Sequence, residues 1–277
     1  MVSFRVEPCT PAVTRIYAIT DVQMYLVCGK HRAVLIDTGS GAGDLRKVVR
    51  SLTDLPTDVL LTHAHVDHGM GSTQFERVFM DPRDHELYEN SKGLDVRRAY
   101  LATSPEFAKL EDSDYIAPDE PQRFLCLRDK DVFDLGGITV EAVSCPGHTQ
   151  GATMFLIREE RLLLTGDCCN YFTMLQGEGC LSISAYEESL RRAEARTRGK
   201  YDGILLSHGF VTAPQDLIRQ NIQVCEEIRS GTDDKIPFEF LGSRGLVAKA
   251  YGKRGNSSFL RVDGGFGNIV YNPENIG

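Results

Sequence analysis

The sequence predicts an α/β fold made of two β-sheets with helices on their outer faces. Three observations predict it. Short apolar, β-branched runs end in glycine-containing turns, helix-length amphipathic segments follow them, and this strand-rich then helical order occurs in both halves of the chain. The 277 residues, 42% hydrophobic and 25% charged, are ordinary for a globular protein and long enough to bury a full core without disulfides.

Residues 14–19, 23–28 and 33–36 read as strands, with Gly29-Lys30 as the turn between the last two. The glycine-rich turn Asp37-Thr38-Gly39-Ser40-Gly41 follows, then a helix over about 43–52 with Leu45, Val48, Val49 and Leu52 at helical spacing. A short buried strand at 58–61 leads directly into Thr62-His63-Ala64-His65-Val66-Asp67-His68-Gly69. Residues 71–75 are expected to start a helix and 78–80 to form a strand. From about 84 to 122 the chain becomes charged and helix-prone, which predicts an inserted, partly helical segment able to cover a site. Strands resume over 131–143, 154–157, 162–164 and 204–206, and helices are expected over 186–198 and 214–229. The tail reads as mixed loop and strand, best at 259–262 and 268–271. The organisation predicted is one domain over 1–277, with the helical insertion at about 84–122 and a C-terminal extension at about 230–277.

Bulk properties narrow the function. A net charge of −8 argues against a nucleic-acid binder, which normally carries a basic patch. The N-terminus lacks a basic region followed by an apolar one, and no apolar run nears the roughly 20 residues needed to span a bilayer. A cytoplasmic protein acting on a small molecule, without membrane or nucleic-acid partners, is expected. The 8 cysteines are scattered with no CxxC pair, which predicts reduced, mostly buried thiols.

The chemistry concentrates in His63-x-His65-x-Asp67-His68. Four groups able to bind a metal within six residues, set directly after a buried strand, are unusual for a solvated loop. Imidazole and carboxylate are ligands that zinc, iron and manganese accept. His148, Asp167 and His208 each follow a predicted strand. Strand ends along one sheet edge converge on one crevice, so these three are candidates to join the cluster.

THAHVDHGMG resembles the HxHxDH signature of the metallo-β-lactamase superfamily. PGHTQG is similar to its second histidine motif, TGD to the motif of its bridging aspartate, and SHG to that of its last histidine. LIDTG resembles a segment that precedes the signature there. The matches run in order from about residue 36 to 209. The resemblance implies a four-layer αββα sandwich and two divalent metal ions, zinc in the first place, with iron or manganese as alternatives. It implies that His63, His65 and His148 hold one metal, that Asp67, His68 and His208 hold the other, and that Asp167 bridges them. Asp37 would orient ligands through hydrogen bonds, and Asp67 would also act in catalysis by orienting the attacking water or carrying its proton. The implied activity is hydrolysis of a small ester, thioester or lactone, with a metal-bridging hydroxide as nucleophile. A small-molecule phosphodiesterase and a mononuclear iron persulfide dioxygenase are the alternatives. The bridging aspartate counts against β-lactam hydrolysis, and the acidic charge against tRNA maturation.

Plainer readings stand beside these. Asp37 could cap the turn at Gly39. Cys168 and Cys169 are expected to pack as small buried residues, although thiols there could reach the metals. Tyr171 and Phe172 either line a substrate pocket or pack. His31 and His85 read as surface residues, and Arg191, Arg192, Arg196 and Arg198 as a solvated helix face. Arg244, Lys249, Lys253 and Arg254 read as a charged tail rather than an anion site.

Overall fold

Strand pairing changes character part-way along the first sheet, and the change fixes where the first group of candidate ligands lies. In the computed structural model, which describes residues 2–20, 22–103, 107, 110–120, 123–254 and 257–277, the chain forms two compact units. Unit 1 comprises Met1–Ala142 with Ile157–Glu160, and unit 2 comprises Val143–Leu156 with Arg161–Gly277.

Unit 1 holds a seven-stranded sheet in the order β1 (Arg5–Pro8), β2 (Val13–Tyr17), β3 (Gln23–Cys28), β4 (Ala33–Ile36), β5 (Thr57–Leu60), β6 (Val78–Met80) and β7 (Leu125–Cys126). The first four form an antiparallel meander, while β4 to β7 run parallel. A parallel pair needs a crossover. Between β4 and β5 it is α1 (Leu45–Leu52), started by Asp44, whose Oδ1 accepts from the Lys47 amide at 2.9 Å. Leu45 and Val49 of α1 join Ile16, Met24, Leu26, Leu35, Val59 and Met80 in the core of this unit. Asp37 and Thr62–His68 therefore follow the C-terminal ends of adjacent parallel strands, where α/β sheets place their ligands.

The expected insertion contains α2 (His85–Ser91), α3 (Leu94–Leu101) and a 3₁₀ turn at Asp112–Asp114; its residues 104–106, 108–109 and 121–122 lie outside the described residues. Tyr88 anchors it, fully buried, with its ring edge-on to Phe124 and its hydroxyl accepting from the Asp119 amide at 2.8 Å. Residues 71–75 form only a 3₁₀ turn, Ser72–Gln74, because Phe75 returns to extended backbone. The strand β8 (Val132–Asp134) pairs antiparallel with the first residues of β9 (Thr139–Ser144).

In unit 2, β10 (Thr153–Ile157) is followed across the sheet by β11 (Leu162–Leu164), β13 (Gly203–Leu205) and β14 (Thr212–Ala213), with β11 and β13 parallel. Two helices pack there: α4 (Ile183–Thr197), capped by Ser182, and α5 (Leu217–Ser230), which ends at Gly231 in the left-handed region. Tyr186, Leu190, Ile218, Ile222 and Cys225 bury against Leu163, Ile204 and Leu206. The arginines of α4 are not simply solvated. Glu187 receives Arg191 at 2.7 Å and Arg229 of α5 at 2.9 Å, and Glu194 receives Arg219 of α5 at 2.9 Å. Beyond α5 the tail is more regular than its sequence suggests. A four-stranded sheet runs β12 (Thr173–Leu175), β19 (Ile269–Tyr271), β16 (Ser243–Val247), β15 (Ile236–Phe240), beside a hairpin of β17 (Tyr251–Arg254) and β18 (Ser257–Arg261). Arg244 and Lys249 pair with Glu239 and Glu227. Among the described residues no helix is long and apolar enough to cross a membrane.

Candidate functional site

In unit 1 the candidate ligands are held by a network centred on Asp37, which is fully buried at the end of β4 with φ +64°. Its Oδ1 accepts from the Thr62 amide at 2.7 Å; its Oδ2 accepts from Thr62 Oγ1 at 2.8 Å and lies 2.8 Å from His68 Nδ1. A carboxylate can only accept, so Nδ1 of His68 carries a proton, and Nε2 is the nitrogen left to face a metal. Thr62 directs its single hydroxyl proton at Asp37, so it accepts from His63 Nδ1 at 2.9 Å. His63 is thereby set in the same tautomer. The His63 ring centroid is 4.9 Å from that of His65 and 4.1 Å from that of His68. Asp67 Oδ2 lies 3.7 Å from His68 Nε2 and accepts from the Tyr100 hydroxyl of α3 at 2.6 Å. The Ala64 amide donates to the buried Asp84 at 3.2 Å, fixing the loop from below.

In unit 2 the candidate ligands come from three separate turns. Asp167 follows β11 and His208 follows its parallel neighbour β13, so both stand at adjacent strand ends. Asp167 Oδ2 lies 3.3 Å from His208 Nε2 and 3.6 Å from His148 Nε2. His148 Nδ1 donates to the Met174 carbonyl of β12 at 2.6 Å, which again leaves Nε2 as the nitrogen that could bind a metal. Packing holds the turns. A Cβ on Gly147 would come within 2.1 Å of the Tyr186 ring, so only glycine lets the His148 loop lie against α4. The Tyr186 hydroxyl in turn donates to the Cys168 carbonyl at 2.7 Å, beside Asp167.

Cys168 and Cys169 lie in the core of this unit, and burial drives both thiols well above their ordinary pKa. They pack; Cys169 Sγ accepts from Asn221 Nδ2 at 3.2 Å. Tyr171 stacks edge-on against Phe210 and Phe266, and its hydroxyl is raised in pKa by burial and then by the Asp167 charge. Phe172 points elsewhere, into a cluster with Phe238, Tyr251 and Phe259. His31 is exposed and His85 half-buried at the start of α2.

The family model of the metallo-β-lactamase superfamily matches residues 19–208. The chain belongs to this superfamily. Among its relatives, an uncharacterized protein of Mycobacterium tuberculosis is 33% identical over 148 residues, covering 49% of this chain and 61% of that protein. The chain thus spans about three fifths of the length of this relative. An acyl-coenzyme A thioesterase of Gallus gallus is 26% identical over 212 residues, covering 71% of this chain and 75% of that protein. An atrochrysone carboxyl ACP thioesterase of Claviceps purpurea is 28% identical over 174 residues, covering 58% and 46%. A metallo-β-lactamase from Pontibacter korlensis superposes with a TM-score of 0.57 at 20% identity over 80% of this chain and 98% of that one. An archaeal superfamily member from Sulfolobus tokodaii gives 0.54 at 17% identity over 87% and 91%. These likenesses show the metallo-β-lactamase fold.

Sequence reasoning passed over Thr62, Asp84, Tyr100 and the Met174 carbonyl. Thr62 stands next to His63 within the motif and could have been found. The others carry no local signal, because each meets the site only through the fold.

Proposed function

We propose that this chain is a dinuclear metal-dependent hydrolase whose substrates are small acyl thioesters, with esters and lactones as lesser ones. In this reading His63, His65 and His148 would hold one metal, Asp67, His68 and His208 would hold the other, and Asp167 would serve both. The observation that carries it is the committed tautomer of three histidines. His63, His68 and His148 each spend Nδ1 as a donor, to Thr62, Asp37 and the Met174 carbonyl, which is how metal-binding imidazoles are oriented through their far nitrogen. Asp167 Oδ2, placed near two Nε2 atoms, suits a shared carboxylate ligand. This nitrogen and oxygen donor set fits zinc, and equally iron or manganese.

Two such cations, when bound, lower the pKa of a shared water from 15.7 toward about 7 and polarise the substrate carbonyl. Asp67 would orient the attacking water and carry its proton. Asp37 and Thr62 keep the imidazoles in register while charge develops. No side-chain nucleophile is required: Cys168 and Cys169 stay protonated thiols in the core. Thioesters are favoured because relatives in two separate groups are named as thioesterases, and because a thiolate leaves without a general acid.

The test is a substrate panel of acyl-coenzyme A thioesters, aryl esters, lactones and phosphodiesters, run on protein stripped by a chelator and on the same protein given zinc. The expected result is thioester hydrolysis that disappears on stripping and returns with zinc. Turnover of phosphodiesters alone, or iron-dependent oxygen uptake with a persulfide, would replace this reading.

A further inference from the structure

The insertion contains a charge whose placement calls for a function. Arg97 on α3 is 1% exposed, and among the described residues no carboxylate lies within ion-pair distance of it. Its guanidinium is spent on main-chain carbonyls: Nε on Ser40 at 3.0 Å, Nη2 on Gly41 at 2.6 Å and Nη1 on Ile116 at 2.7 Å. The Tyr115 ring lies 5.2 Å from its centre. Burying a cation without a counter-ion is costly, so the carbonyls must be held very well, and they are. Gly41 has φ +69°, and a Cβ there would meet Arg97 Nη2 at 2.6 Å and the Met70 carbonyl oxygen at 2.4 Å. Arg97 thus ties α3 to the turn that begins at Asp37. Three residues on, along the same helix, Tyr100 donates to Asp67 Oδ2 at 2.6 Å, the length of an O–H donor on an ionised carboxylate.

We infer that the insertion is part of the metal centre, with Tyr100 as a positioning residue for Asp67 and Arg97 as the anchor that sets Tyr100 in place. This rests on the proposed role of Asp67 as a ligand. Tyr100 meets Asp67 from the insertion, whereas Asp37 and Thr62, just after β4 and β5, brace His63 and His68. The hydroxyl of Tyr100 fixes the rotation of the Asp67 carboxylate and draws charge from Oδ2. A loop of the sheet and a helix of the insertion are then coupled: what loosens α3 loosens the metal that Asp67 holds, and leaves the other metal unaffected.

The experiment titrates zinc into the stripped full chain against a chromophoric chelator, for the wild type and for Tyr100→Phe, with thermal melting of the metal-free proteins alongside. The wild type should take two equivalents. Tyr100→Phe should bind one as the wild type does and the other roughly 10–100-fold more weakly, the usual effect of losing a residue that orients a ligand, with its metal-free melting unchanged. A cobalt(II) titration should show an altered visible spectrum for one equivalent only. Arg97→Lys, which keeps the charge but not the three-way reach, should weaken the same equivalent; if it fails to fold, Tyr100→Phe decides alone. Two equivalents of wild-type affinity in Tyr100→Phe would overturn the role of Tyr100 and leave the dinuclear reading standing. A wild type that takes one equivalent or none would overturn the dinuclear reading, and this inference with it.

Discussion

The two units brace their candidate ligands by different means. In unit 1, four candidates sit within six residues, and side chains brace them: Asp37 and Thr62 behind His63 and His68, and Tyr100 on Asp67. In unit 2, three candidates come from three turns, and the main chain and packing brace them: the Met174 carbonyl holds His148, and Gly147 and the Cys168 carbonyl both meet Tyr186. A ligand set gathered on one loop has little packing of its own and needs charged hydrogen bonds to stay in register. Ligands at the ends of buried strands take their positions from the core. Substitutions in unit 1 should therefore damage chemistry at little cost in stability, while those in unit 2 should first damage stability.

The largest effect is expected at Asp37. Asn tolerates the left-handed backbone there better than most residues, so Asp37→Asn keeps the backbone while it removes the charge and turns one accepting oxygen into a donor. It should lower zinc affinity or turnover by about 10–100-fold with a near-native melting temperature, read by metal titration and calorimetry. A large loss of stability with intact metal binding would reverse the comparison. Gly147→Val should do the opposite. Forcing a side chain onto Tyr186 costs about 1–3 kcal/mol, visible in denaturant unfolding; wild-type stability would show that the His148 loop is not held by packing.

The smallest effect lies between α4 and α5. Hydrogen bonds from Arg198, and then Arg219, hold Glu194 below its ordinary carboxylate pKa, against the opposing effect of burial. A depressed folded pKa means that its contribution is complete above the unfolded value of about 4.3 and is lost as pH falls through the folded one. Glu194→Gln should lower the melting temperature slightly at pH 7 and flatten its decline below that value. An unchanged acid profile would show that these partly exposed pairs contribute nothing.

The same contrast explains what the sequence made legible. The strands at 23–28, 33–36, 78–80 and 162–164 agree with β3, β4, β6 and β11, because buried parallel and central strands are continuous apolar runs. The histidine cluster was legible because its spacing is local. Tyr100 and Arg97 were not: their partners lie 33 and 57 residues away, and a tyrosine and an arginine on a charged helix read as surface. Nor was the tail sheet. β12 has three residues and owes its place to parallel pairing with β19, while Pro237 and Gly245 interrupt the alternation of β15 and β16. Phe172, weighed as a pocket residue, sits instead among the aromatic rings of that same tail.

The central claim is a dinuclear centre, and the most direct measurement is the metal content of the chain purified without added metal, for the wild type and Asp167→Ala. The account predicts two divalent ions per chain, falling to one or fewer in the variant. A single iron that survives the loss of Asp167, or no tightly held metal at all, would contradict it.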